Sequence, residues 1–405
     1  MERAELGSWL RLGLTPGVGN ESARKLLAAF GLPEAIFGQC STALEQVVSQ
    51  TQAKALRAEP SELSALLETT WAWLQESGEG YAQRRVVVLG DEDYPSSLLA
   101  IEDPPLMLHL LGAGKLASNQ ALTPVNVVNS ASNFIVQMLT HSIAVVGSRN
   151  PTPQGASNAR QFSKALGQAG LTVVSGLALG VDGAAHEGAL DSLEAGSDRL
   201  ATVAVVGTGL DRVYPKIHLK LAHRIAQHGL IVSEYLLGTP PLAANFPKRN
   251  RLIAGLAQGT LVIEAALKSG SLITARLSAE QGKDVFAIPG SIHSAQSRGC
   301  HALIKQGAKL VESAQDVLEE MNMGPLPASA RQAGVATGAP GPADDLFGTD
   351  LSLLDALGFD PVGLDALQAR CGLDTATLQA RLMTLELDGL LGRLPGGLFQ
   401  RISRA

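Results

Sequence analysis

The stretch IAVVGSRNPTP, residues 143–153, decides the fold. Ile143–Val146 is a continuous apolar run of the kind a sheet buries on both faces. Gly147-Ser148-Arg149 then turns the chain, and Thr152-Pro153 supplies an N-cap and a first helical residue. The same phrase recurs downstream. Leu171–Val174 runs into Ser175-Gly176-Leu177-Ala178-Leu179-Gly180, and Ala201–Val206 runs into Gly207-Thr208-Gly209. Leu230–Val232 follows, then Leu261–Ile263 with Glu264 and Ser269-Gly270-Ser271 behind it, then Val285–Ile288 with Pro289-Gly290. Amphipathic stretches separate these runs as far as about Glu320. Such alternation predicts an α/β, Rossmann-like parallel sheet core domain covered by helices on both faces.

Outward from this core the pattern changes. Residues 1–80 carry apolar side chains at helical spacing (Leu6, Leu10, Leu14, then Ala23, Leu26, Leu27, Phe30) and predict a small helical domain. Two strand-like runs, Val86–Leu89 and Leu106–Leu111, open an extended core domain over 84–320. Within it, 112–142 is an insertion: no charged residue occurs from Leu116 to Thr140, yet four asparagines do. Residues 322–349 hold 5 Gly, 4 Pro and 6 Ala, which makes them a flexible linker. The remainder, 350–405, predicts a winged-helix domain: helices at 351–357, 362–370 and 375–389, then a wing at Leu394–Ile402.

Composition narrows the function. The formal net charge is −6 over 405 residues, so binding to nucleic acid must come from a local cluster and not from the chain as a whole. Aromatic residues make up 4%, which excludes a broad base-stacking platform and leaves Phe246 as the aromatic of interest. Cys40, Cys300 and Cys371 are far apart, which argues against a disulfide framework and a cysteine zinc site and fits a reducing cytoplasm. No apolar run is long enough to span a membrane. No cofactor or metal is expected. The 43 glycines exceed the usual share of about 7%, and many of them sit at the strand ends.

In a sheet of this kind the strand C-termini form one rim, and ligands bind there. Glycine turns let backbone amides approach an anion, and helix N-termini attract phosphate. Gly147–Arg149 and Gly176–Gly180 lie on this rim and are expected to bind phosphate, with Ser269 and Gly270 on the same rim. Each glycine taken alone is equally explained by a tight βα turn. The densest cluster of cations is Phe246-Pro247-Lys248-Arg249-Asn250-Arg251, at the start of a helix. Cations there would take phosphates while Phe246 stacks a base; the plainer reading is a solvated helix start with Phe246 in the core. Lys216, after Tyr214-Pro215, adds a further cation. No G-x-x-x-x-G-K-[ST] occurs, and the G-x-G at 207–209 lacks the third glycine of a dinucleotide fingerprint.

Taken in order, these motifs resemble the DNA-processing protein A family (DprA, also called Smf). They are Gly-Ser-Arg at 147–149, Ser-Gly-Leu-Ala-x-Gly-Val-Asp…Ala-His at 175–186, Gly-x-Gly-Leu-Asp-x-x-Tyr-Pro at 207–215, Phe-Pro-x-Arg-Asn-Arg at 246–251, Glu-Ala-x-x-x-Ser-Gly-Ser-Leu-Ile-Thr-Ala at 264–275, and Pro-Gly at 289–290. Leu14–Gly19 is similar to a helix-hairpin-helix turn, in keeping with a SAM or helix-hairpin-helix-like N-terminal domain. The resemblance implies a single-stranded DNA-binding adaptor and not an enzyme, with no catalytic residue. It would protect incoming DNA and load the RecA recombinase in natural transformation and recombination. Its partners would be single-stranded DNA, RecA, a second copy of itself and single-strand-binding protein, with no membrane. Carried onto this chain, Gly147, Ser148, Arg149 and Gly176 would form the phosphate pocket. Lys216, Lys248, Arg249 and Arg251 would follow the DNA backbone with Asn250 among the DNA-binding residues, and Leu303–Leu310 would be a dimer face through Leu303, Ile304 and Leu310, with His301 beside it. The helix Asp374–Asp388 has one cation, Arg381, against three acids, so it predicts a protein contact and not DNA reading.

The competing reading is a Rossmann-like nucleotide hydrolase of the lysine-decarboxylase-like (LOG) group, using Glu264, Asp182 and His186. Such enzymes carry Pro-Gly-Gly-x-Gly-Thr, of which only Gln258-Gly259-Thr260 is present here. Glu264 is read instead as capping or orienting the Ser269-Gly270 turn.

Overall fold

The computed structural model describes residues 1–76, 83–112, 140–194, 197, 199–324, 353–354, 356–358 and 361–402. Most of the uncharged 112–142 stretch and of the 322–349 linker lies outside the described residues. Contacts divide the chain into two compact units: Met1–Ser142 with Val174–Leu177 and Asp198–Gln258, and Ile143–Val173 with Ala178–Ser197 and Gly259–Ala405.

Twelve strands carry the numbering used below: β1 Gln83–Val88, β2 Met107–Gly112, β3 Ser142–Val146, β4 Thr172–Ser175, β5 Thr202–Val205, β6 Leu230–Ser233, β7 Gly259–Val262, β8 Asp284–Ala287, β9 Lys309–Leu310, β10 Val362–Gly363, β11 Leu391–Leu394 and β12 Leu398–Arg401.

The first unit begins with six helices, from Arg3–Leu14 to Leu63–Gln75, which bury Leu6, Trp9, Leu10, Leu26, Leu44 and Leu56. The turn expected to present amides is tied down internally. Gly17 takes φ +76°, its carbonyl accepts from Gln52 Nε2 at 2.7 Å, and Val18 N donates to Thr15 O. The helix that follows, Asn20–Phe30, sends Asn20 Nδ2 and Arg24 NH1 to the Asp103 carboxylate, at 2.9 and 2.8 Å. The strands of this unit lie in the order β1-β2-β6-β5-β4. β1 and β2 pair antiparallel, β2 continues antiparallel onto β6, and β6 is parallel to β5. The two runs read before the core motifs are thus extra antiparallel strands of the sheet.

In the second unit β3, β7, β8 and β9 follow one another, all parallel. Ile143, Val145, Val173, Leu261 and Phe286 fill one cluster with Ala159 and Leu166 from helix Pro153–Gln168, each fully buried. Side chains of this size stabilise by roughly 1.5–3 kcal/mol each when removed from water. That explains why continuous apolar runs, and not alternating ones, mark these strands.

The C-terminal part packs Leu354, Leu357, Leu367, Leu378, Leu382, Leu385 and Phe399 into a core of its own. Its boundaries correct the sequence reading. Val362–Gly363 is a strand pairing with β12, so the helix starts at Leu364, where Gly363 serves as N-cap. The following helix, Thr375–Leu387, stops at Leu387 because Gly389 leaves the right-handed region at φ +69°. The wing is the β11–β12 hairpin, closed by Gly396 and Gly397 at φ +85° and +72°. Among the described residues, no helix is long and apolar enough to cross a membrane, and no group of three or more metal-ligating side chains is placed to hold an ion.

Candidate nucleic-acid interface

The cation-rich segment opens helix Asn245–Leu256, where Pro247 is tolerated because the first turn lacks partners for its amides. A helix turns its side chains through about 100° per residue, so neighbours in sequence need not share a face. The structure sorts the cluster accordingly. Lys248 is exposed. Arg249 is 3% exposed and points inward, its NH1 donating to the carbonyls of Gly176 and Val205 at the ends of β4 and β5. Asn250 is half-buried. Arg251 is paired with Glu234, just past β6, and with Asp103 at 3.5 Å.

These placements bear on three of the expected contacts. Arg249 joins two strand ends from within. At Gly176 its guanidinium lies where a Cβ would stand. Arg251 is neutralised by two carboxylates. Burial pushes the Glu234 carboxyl above its ordinary range against the pull of Arg251. At Asp103 burial also raises the carboxyl, but hydrogen bonds from Arg24 and Asn20 and the charge of Arg251 leave it below that range.

Phe246 is half-buried and lies over Gly207, where a Cβ would come within 3.2 Å of its ring. Asn245, 7% exposed, fixes the same turn by donating to Gly207 O at 3.1 Å. The outer neighbour of Phe246 is Tyr214, with ring centroids 5.5 Å apart and planes tilted by 38°. Tyr214 is 47% exposed, and Lys216 two residues on is exposed as well. The sequence reading assigns stacking to Phe246 alone. The signal for a second ring is the tyrosine that, with Pro215, ends the 207–215 motif ahead of Lys216.

The Gly147–Arg149 turn belongs to the second unit and is held by backbone hydrogen bonds to Glu264 and Val181. Ser148 N donates to Glu264 O at 2.7 Å, Ser148 O accepts from Val181 N at 3.1 Å, and Ser148 Oγ accepts from Asn150 N at 3.1 Å. A Cβ at Gly147 would sit 2.7 Å from Val181 Cγ2, so close packing alone requires that glycine. Glu264 reaches the start of helix Pro153–Gln168: its Oε2 accepts from Thr152 N at 2.9 Å and its Oε1 from Thr152 Oγ1 at 2.6 Å. Thr152 Oγ1 in turn accepts from Gly155 N at 3.0 Å. The anion at this helix start is therefore the protein's own, and the expected role of Glu264 moves from the Ser269-Gly270 turn to Thr152. Burial raises the Glu264 carboxyl, against the two hydrogen bonds from Thr152. The Ser148 amide is committed to this framework, whereas Arg149 is exposed. At the other turn Ser269 Oγ meets Ser271 Oγ at 2.6 Å, and Gly270 is exposed with open space where a Cβ would stand.

Asp182 and His186 lie on helix Val181–Leu190, both buried, with Asp182 Oδ2 accepting from Ala178 N at 3.3 Å. The residues expected at a dimer face fall on helix Arg298–Lys305 and on β9, at the end of the sheet run. His301 Nε2 lies 3.0 Å from Gly290 O, Leu303 and Ile304 are half-buried, and Leu310 is 50% exposed.

Residues 134–322 match the family model of the DNA recombination-mediator protein A, and residues 337–397 match that of the DprA winged helix domain. Protein Smf of Escherichia coli is 35% identical over 348 residues, covering 84% of this chain and 82% of its own. DNA processing protein DprA of Streptococcus pneumoniae is 44% identical over 230 residues, 57% of this chain and 72% of its own. The crystal structure of the Streptococcus pneumoniae DNA processing protein A superposes with a TM-score of 0.60 at 33% identity, covering 79% of this chain and 98% of that one. The ordered motifs, the Rossmann-like sheet and the winged helix agree with these matches: the chain belongs to the DprA/Smf family of DNA-processing proteins.

Proposed function

We propose that this protein binds single-stranded DNA, with phosphates on Lys216 and Lys248 and bases against the Tyr214–Phe246 pair of the first unit, and that Arg149 of the second unit is a phosphate contact of its own. The observation that carries the reading is the sorting of cations on helix Asn245–Leu256. Arg249 anchors the helix from within, while Lys248 stays exposed on its first turn and Lys216 is exposed two residues from Tyr214. Cations and an accessible aromatic edge suit a strand whose bases are unstacked, since every base offers a π-face and every nucleotide a phosphate. Gly270, with open space at its Cα, supports a further backbone approach.

The family relationship extends the proposal. The protein acts in the cytoplasm as a homodimer, through Leu310 and the Arg298–Lys305 helix, protects incoming strands and passes them to RecA. It is a binding protein and not a nucleotide hydrolase, a reading supported by the engagement of Glu264 with Thr152. Binding should weaken with salt, with a log–log slope near −0.7 per phosphate neutralised, and Arg149→Ala with Lys248→Ala should bring the slope about 1.4 closer to zero. Fluorescence polarisation on a labelled oligonucleotide measures it; an unchanged slope in the double variant removes both contacts.

A further inference from the structure

The segment from Arg212 to Ser233 contains no acidic residue, although the chain as a whole is acidic. It holds four cations, Arg212, Lys216, Lys220 and Arg224, and three histidines, His218, His223 and His228. Its helix, Leu219–His228, is sharply two-faced. Leu221, Ala222, Ile225 and Ala226 are buried, while Lys220, His223, Arg224 and His228 are exposed. Arg212 pairs with its neighbour Asp211 at 2.6 Å. Packing of the apolar face accounts for the helix; it does not account for an outer face without a single carboxylate. Exposed helices in water ordinarily mix both signs at i,i+4 spacing, as Glu21–Lys25 does in this protein at 2.7 Å.

We propose that the outer face of helix Leu219–His228 carries the single-stranded DNA onward from Lys216, so that Lys220, His223 and Arg224 take the phosphates that follow. This rests on the binding site proposed above, with which the face is continuous. Lys216 lies on the short 3-10 turn Lys216–His218 that leads directly into the helix. Lys220 and Arg224 are four residues apart on the helix, where side chains so spaced stand about 5–6 Å apart along one face, and Lys216 precedes them on the turn. A row of cations at that interval suits the backbone of an extended strand. Ile217 and Leu219, 78% and 48% exposed, lie between them in the chain and offer apolar surface to unstacked bases. A polyanion is the occupant that charge selects, because an acid-free face repels basic partners and leaves a neutral one without a reason for the bias. Imidazoles interleaved with ammonium and guanidinium groups add hydrogen-bond donors to the same row.

The test compares two labelled oligonucleotides, one of about 6 nucleotides and one of about 24, spanning less and more than a typical single-strand site. For the full-length protein the salt slope should be steeper on the longer strand. Lys220→Ala combined with Arg224→Ala should erase that increment, moving the long-strand slope by about 1.4 and weakening binding about 25-fold at 0.1 M salt. Lys220→Arg with Arg224→Lys, which keeps both charges, should retain it. Equal slopes on the two strands, or an increment that survives in the alanine pair, overturns the extension while leaving the first site intact. Failure of the unaltered protein to bind either strand overturns both.

Discussion

Two basic helices of the first unit use their cations in opposite ways. Helix Asn245–Leu256 spends Arg249 on the carbonyls of Gly176 and Val205 and Arg251 on Glu234 and Asp103, and only Lys248 of its three cations is exposed. Helix Leu219–His228 looks weaker in the sequence because its charges are spread out, yet it exposes Lys220, His223 and Arg224 together. Charge density along the chain therefore measures something different from charge presented to solvent. What buries Arg249 and Arg251 are partners remote in the chain: Arg249 lies 73 residues from Gly176, and Arg251 lies 17 from Glu234.

The contrast is broken most forcefully at Arg249. Arg249→Ala should cost about 3 kcal/mol, since it leaves two buried carbonyls without a donor and opens a cavity. Urea denaturation measures the loss; a variant as stable as the parent would mean that Arg249 is not the inward-facing member of its helix. The matching change on the other side of the contact, Gly176→Ala, should cost about 2 kcal/mol, because the new methyl meets the guanidinium. The two losses should not add, as they remove one interaction. A smaller effect belongs to Asp103, which holds Arg251 together with Glu234. Its folded carboxyl lies below the unfolded value, so its stabilisation is present at neutral pH and fades as the pH falls below about 4. Asp103→Asn should flatten that part of the acid limb, by less than about 1 kcal/mol because the pair is partly exposed. A limb of unchanged steepness would remove Asp103 from the account of why Arg251 is unavailable.

Much of the architecture was legible because parallel strands buried on both faces leave continuous apolar runs, and glycines mark where those runs turn. Ile143–Val146, Leu230–Val232 and Leu261–Ile263 all coincide with strands to within a residue or two. The site was legible only as a list of types. Nothing local to residues 246–251 says that Arg249 faces inward, because that direction is set by where β4 and β5 end. Glu264 was legible as a polar residue at a strand end, but its partner Thr152 lies 112 residues away. Tyr214 and the acid-free stretch 212–233 were in plain view; the first lacked a visible neighbour, and the second is diluted by apolar residues that helix geometry later removes to the other face.

The carboxylate of Glu264 at the start of helix Pro153–Gln168 has a kinetic consequence. A helix start left vacant for phosphate would be settled only when ligand arrives, and part of the binding energy would go into ordering it. Here Glu264 satisfies that corner from within, so a strand at the proposed Arg149 contact would spend none of its binding energy on ordering the helix start. Encounter with DNA at this turn should then be governed by charge and diffusion, without a slow conformational step ahead of it.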